Sequence, residues 1–131
     1  MILVKVTVKG EPDTAPFKHV FFYANESDEQ LFYNSVNMIK EKLDQNLKIN
    51  INESLVIYSA YVIGKLRSNE TISVIERNAQ KILPPDKVMI GVPESLRKII
   101  FEVEIDKLPK RRIILKEPIT TSNYILATKK C

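Results

Sequence analysis

The chain has 131 residues and 15.1 kDa, is 44% apolar and 27% charged, and carries a net charge of +4. This is the composition of one globular domain, too short for two domains of ordinary size and too apolar for a disordered segment. With one cysteine, one histidine and three glycines, it excludes a disulfide framework, a histidine-rich metal centre, a serine or cysteine hydrolase with its histidine base, and a glycine-rich phosphate loop.

No apolar run approaches the roughly 18 residues that span a bilayer. The start, Met1-Ile2-Leu3-Val4-Lys5-Val6, is broken by a lysine at once and does not read as a signal peptide. Both features point to the cytoplasm. Asn25, Asn52 and Asn69 open the three N-x-S/T sequons and read as turn and cap residues. The lysine and glutamate content is compatible with a thermophile.

Ile2, Val4, Val6 and Val8 alternate with Lys5 and Thr7, the period of a half-buried strand. Residues 10–16, rich in Gly and Pro, form a turn-rich connection. Phe17 to Tyr23 is aromatic and β-prone, giving a second strand and a hairpin. Ser27 and Gln30 have capping-box spacing, which places the start of a helix at Ser27. Phe32, Val36, Ile39 and Leu43 form its apolar stripe. Asn46 suits the left-handed residue that closes it.

A second helix starts near Asn50 or Asn52, since Asn50 and Glu53 have cap-and-box spacing. From Leu55 to Leu66 it is apolar nearly all round, so it is central in its domain or faces a partner chain. Thr71 or Ser73 caps a third helix carrying Ile72, Ile75, Ala79 and Ile82. Pro84-Pro85 ends it, and Pro85 opens a short helix through Met89 that Gly91 stops. From Lys98 the period falls to two. Ile100, Val103 and Ile105 lie in one strand and Ile113 to Leu115 in another, joined by a turn containing Pro109. Residues 120–131 have no clear period and read as a tail. The fold class is therefore α+β: a core of about four helices with a C-terminal β-hairpin and an extra N-terminal β-hairpin.

Each chemistry-bearing residue has a plain reading. His19 lies between Lys18 and Val20 in a strand and reads as a surface or satisfied histidine. Cys131 is terminal, without a redox partner. Asp86 and Glu94 read as a helix N-terminal acid and a solvated loop acid, not an acid–base pair. Tyr58 and Tyr61 are core or interface residues. Lys107, Lys110, Arg111 and Arg112 form the densest basic cluster, read as a solvated hairpin tip or a rim contact; a nucleic-acid reader wants interleaved aromatics or a recognition helix. Gly91-Val-Pro-Glu94 serves chain reversal or an inter-subunit contact.

One stretch is more specific. Leu47-Lys-Ile-Asn-Ile-Asn-Glu-Ser-Leu-Val-Ile-Tyr58 resembles the "LKLNYPEAVALI" segment of urease gamma subunits. Asp86-Lys-Val-Met-Ile-Gly-Val-Pro-Glu94 resembles their "EDVMEGVPE", and Lys116-Glu-Pro-Ile119 their terminal "H-N/E-P-I". Arg67 and Leu83 fall on an arginine and a leucine of the same pattern. Asn52 stands for a usual proline, Ser68-Asn69 for Asp-Gly, and Lys116 for histidine. The resemblance covers residues 26–119 and marks residues 1–25 as a β extension and 120–131 as a C-terminal tail.

The resemblance implies a non-catalytic structural subunit of a urease-type nickel amidohydrolase, which hydrolyses urea to ammonia and carbamate. In that family the nickel pair and the catalytic groups belong to the large alpha subunit. It therefore implies no catalytic, cofactor-binding or metal-binding residue in this chain. The implied partners are urease-like beta and alpha subunits, or further copies of this chain. The alternative is a stand-alone interaction or oligomerisation module on the same fold, binding nucleic acid weakly through Lys107 to Arg112.

Overall fold

The computed structural model describes residues 2–10, 17–23, 26–106 and 108–120, and for 17–23, 26 and 27 it describes the backbone. The connection at 11–16, Asn25, Lys107, and the tail from 121 with Cys131 lie outside the described residues. So does the side chain of His19.

Strands β1 (Ile2–Lys9), β2 (Phe17–Tyr23), β3 (Lys98–Ile105) and β4 (Arg111–Lys116) form one antiparallel sheet in the order β2-β1-β3-β4. Helices α1 (Glu26–Asp44), α2 (Ile51–Arg67), α3 (Ile72–Asn78) and α4 (Val92–Ser95) lie between the two hairpins in sequence. The fold is α+β, and the N-terminal strands join the sheet of the C-terminal hairpin. β1 sits inside that sheet, with Val4 opposite Val103 and Val6 opposite Phe101.

Alternation in β1 sets this register. A one-residue slip would turn Ile2, Val4, Val6 and Val8 to water. All four are buried, Val4 and Val6 completely, each at a gain of about 1.5–3 kcal/mol. They share one core with Ile99, Phe101, Ile113 and Leu115 of the sheet and Val36, Leu55, Tyr58 and Val62 of the helices. α1 packs on α2, and α3 on β4. α2 buries Leu55, Ile57, Tyr58, Val62, Ile63 and Leu66, so most of its apolar circumference is used within the domain, while Val56, Ala60 and Tyr61 are half-buried.

The caps explain most boundaries. Asn50 caps α2: its Oδ1 accepts from Glu53 N–H at 2.8 Å, and its own N–H donates to Glu53 Oε1 at 3.0 Å. Thr71, not Ser73, caps α3 through Oγ1 and Val74 N–H. Asn46 closes α1 with φ 61°, and Leu47 N–H returns to Lys42 O at 2.9 Å.

Four expectations need correction. α1 begins at Glu26, so Ser27 lies inside the helix and not at its cap. α3 ends at Asn78 and tightens into a 3-10 turn, Ala79–Lys81, so Ile82 falls beyond it. Pro84 and Pro85 also leave only a 3-10 turn, Pro85–Lys87, where a helix through Met89 was expected. A parallel bridge between Ile49 and Val88 takes over there, because Ile49 N–H donates to Lys87 O and Met89 N–H to Ile49 O. Gly91 does not stop a helix. At φ 91° it precedes α4 as its N-cap, a left-handed geometry that favours glycine.

Candidate interaction surface

The structure places Asp86, Glu94 and the two tyrosines, Tyr58 and Tyr61, on three different elements. Asp86 lies in the 3-10 turn and Glu94 in the first turn of α4, both exposed. Tyr58 is fully buried, and burial alone drives its phenol far above the ordinary range. Tyr61 donates its hydroxyl to Ile75 O at 2.7 Å and so ties α2 to α3. Burial first, and then the Glu70 carboxylate, raise its pKa. Backbone pairing sets His19 opposite Val6. No group of three His, Cys, Asp or Glu residues converges among the described residues. With one histidine in the chain, the donor set does not fit a nickel pair.

Of the basic cluster, Lys110 is engaged in an ion pair and Arg112 stands near the same acid. Lys110 reaches Glu102 at 2.9 Å, and Arg112 stands opposite Glu102 across β3 and β4. The Lys110 hydrogen bond, against some burial, holds the Glu102 carboxyl below its ordinary range, helped by Lys5 and Arg112. The same pair raises Lys110. The face around Glu102 therefore alternates in charge and is not a uniform basic stripe.

The exposed apolar side chains are more telling. Leu31 and Met38 stand on one face of α1, seven residues apart, each 65% exposed. Leu108 is equally exposed at the hairpin tip, beside a depression of about 60 Å³ lined by Leu66, Val103, Ile105 and Arg111. The 86–94 loop presents Met89, and Ile90 is 101% exposed.

Local geometry causes this. Val88, Val92, Pro93 and Leu96 are buried and anchor the loop on both sides. The bridge to Ile49 fixes its start, and Lys87 Nζ donates to Asn46 Oδ1 at 3.1 Å. Gly91 turns the chain, and Val92 N–H returns to Met89 O at 3.1 Å. Ile90 is left at the apex of a braced turn. Hydropathy alone would have placed it in the core; the glycine after it was the available signal that it is not.

A family model described as "Urease, gamma subunit" matches residues 21–119. The chain belongs to the urease gamma subunit family. It is 29% identical over 94 residues to the urease subunit gamma of Halalkalibacterium halodurans, covering 72% of this chain and 93% of the relative. With the urease subunit gamma of Saccharopolyspora erythraea, 23% of 78 residues are identical, over 60% of this chain and 78% of the relative. The braced loop lies within the matched region. β1, at the centre of the sheet, precedes it, so this urease gamma family member adds a strand to the core from outside the family's shared segment.

Proposed function

We propose that this chain is a structural, non-catalytic subunit of a urease-type nickel amidohydrolase that converts urea to ammonia and carbamate. The observation that carries this is the family match across residues 21–119. The braced, solvent-facing Met89–Ile90 apex within it supports the reading, because an exposed apolar knob on a rigid turn suits a subunit contact. Nickel and the groups that act on urea belong in this reading to a larger partner subunit. The chain contributes shape: its core fixes the loop, and the loop and the Leu31–Met38 face of α1 meet beta- and alpha-type chains in the cytoplasm.

The test is reconstitution. The urease beta and alpha chains of its own organism are produced together, with and without this full chain. The reading expects a complex containing all three, and loss of urea hydrolysis when this chain is omitted. Full activity without it would reject the structural role.

A further inference from the structure

β4 is the last strand of the sheet, and its outer edge faces a groove of about 450 Å³ lined by Glu76, Arg77, Gln80, Ile114 and Lys116. The Ile114 N–H points into this groove and is met by Glu76 Oε2 at 2.8 Å. One side chain thus occupies the place a neighbouring strand's carbonyl would take. Natural sheets block exposed edges because an open edge templates strand addition. Here the block is the Glu76 carboxylate, carried by α3, which packs on β4.

The charges around the edge select what replaces it. Lys98 and Lys116 stand directly opposite each other in the β3–β4 register, a like-charge pair that disfavours the sheet unless an anion lies nearby. Neither they nor Arg77 makes an ion pair among the described residues. A second copy is the wrong occupant. Two β4 edges paired antiparallel about Ile114 would set Arg112 against Lys116 twice, again like against like.

We propose that the β4 edge receives an extended acidic segment of a partner chain as a fifth strand, its backbone replacing Glu76 at the Ile114 N–H and its carboxylates lying beside Arg112 and Lys116. Strand addition takes affinity from main-chain hydrogen bonds and specificity from alternate side chains. The matching pattern is acid–x–apolar–x–acid, with the apolar residue opposite Ile114. The identity of the partner as another subunit rests on the proposed function, but the site itself can be tested with this chain alone.

The probe is the blocked peptide Thr-Glu-Thr-Val-Thr-Glu-Thr, titrated into the isotope-labelled full chain. Its controls are the same peptide with an N-methylated valine, and a peptide with lysine for glutamate. Strand addition predicts saturable shifts at the Arg112, Ile114 and Lys116 amides and at least tenfold slower exchange there. Affinity should fall at least tenfold for the N-methylated and lysine peptides, and for the Arg77→Glu/Lys116→Glu double variant. Equal binding of the N-methylated peptide would reduce the effect to charge adsorption and overturn the proposal. So would the absence of saturable shifts at these amides. Reconstitution with urease chains reads out the subunit role independently of either result.

Discussion

Gly10 lies against Ser95: a Cβ on Gly10 would stand 2.8 Å from the Ser95 carbonyl oxygen and 2.9 Å from its Cα. The contact joins two parts of different standing. Gly10 follows β1, outside the segment shared with other urease gamma subunits, while Ser95 ends the helical turn that follows the exposed loop. Backbone cannot yield as a flexible side-chain end can. Gly10→Ala should therefore cost about 1–3 kcal/mol, the usual range for overpacking. Urea denaturation would show a lowered midpoint with an unchanged slope. An unaltered midpoint would mean that the two segments separate freely.

The Asn50–Glu53 box gives a pH dependence. Burial opposes ionisation of Glu53, but hydrogen bonds from Lys42, at 2.6 Å, and from the Asn50 N–H outweigh it and hold the carboxyl below its ordinary range. A depressed folded pKa stabilises above the unfolded value, about 4.3, and that contribution is lost as pH falls through the folded value. Glu53→Gln should therefore lower stability at about pH 7, with the gap to the parent closing toward about pH 3. Asn50→Ala should cost about 1 kcal/mol. Chemical denaturation across this range measures both.

The elements that could be read from sequence are those whose local signal agrees with their tertiary role. The stripe from Phe32 to Leu43, the Asn50 cap and the alternation of Ile2 to Val8 needed only period and cap chemistry. The 3-10 turn at Pro85–Lys87 did not yield to this, because the competing bridge to Ile49 comes from 39 positions earlier in the chain (88 − 49). β1's place between β2 and β3 was equally hidden: alternation says that one face is buried, not which strands flank it. For the candidate surface, the resemblance marked the 86–94 motif, but the exposure of Ile90 depends on the left-handed turn at Gly91. Glu76 meeting Ile114 has no local signature, since 38 residues separate them.

The hydroxyl of Tyr58 is enclosed and meets no hydrogen-bond partner among the described residues. Burying such a group unpaired costs about 1–3 kcal/mol. Tyr58→Phe keeps the ring and removes the cost, so it should stabilise the fold by about 1 kcal/mol. A thermal or denaturant midpoint that drops instead would show that the hydroxyl is satisfied.

Ile90 separates assembly from folding. Because its side chain is fully exposed, Ile90→Asp should leave unfolding within about 0.5 kcal/mol of the parent. If the apex seats in a partner subunit, the same change should weaken complex formation at least tenfold, about 1.4 kcal/mol. Pairing denaturation with a binding isotherm distinguishes the two effects, and an unchanged isotherm would remove the apex from the interface.

The most direct measurement is purification of the tagged full chain from its native cell, with mass spectrometry, nickel analysis and urea turnover on the same fraction. A urease gamma-type subunit predicts co-purified beta- and alpha-type chains, nickel in proportion to the alpha chain, and urea hydrolysis by the complex but not by the separated chain. A monodisperse monomer without these chains, or urea hydrolysis by the separated chain itself, would contradict the account.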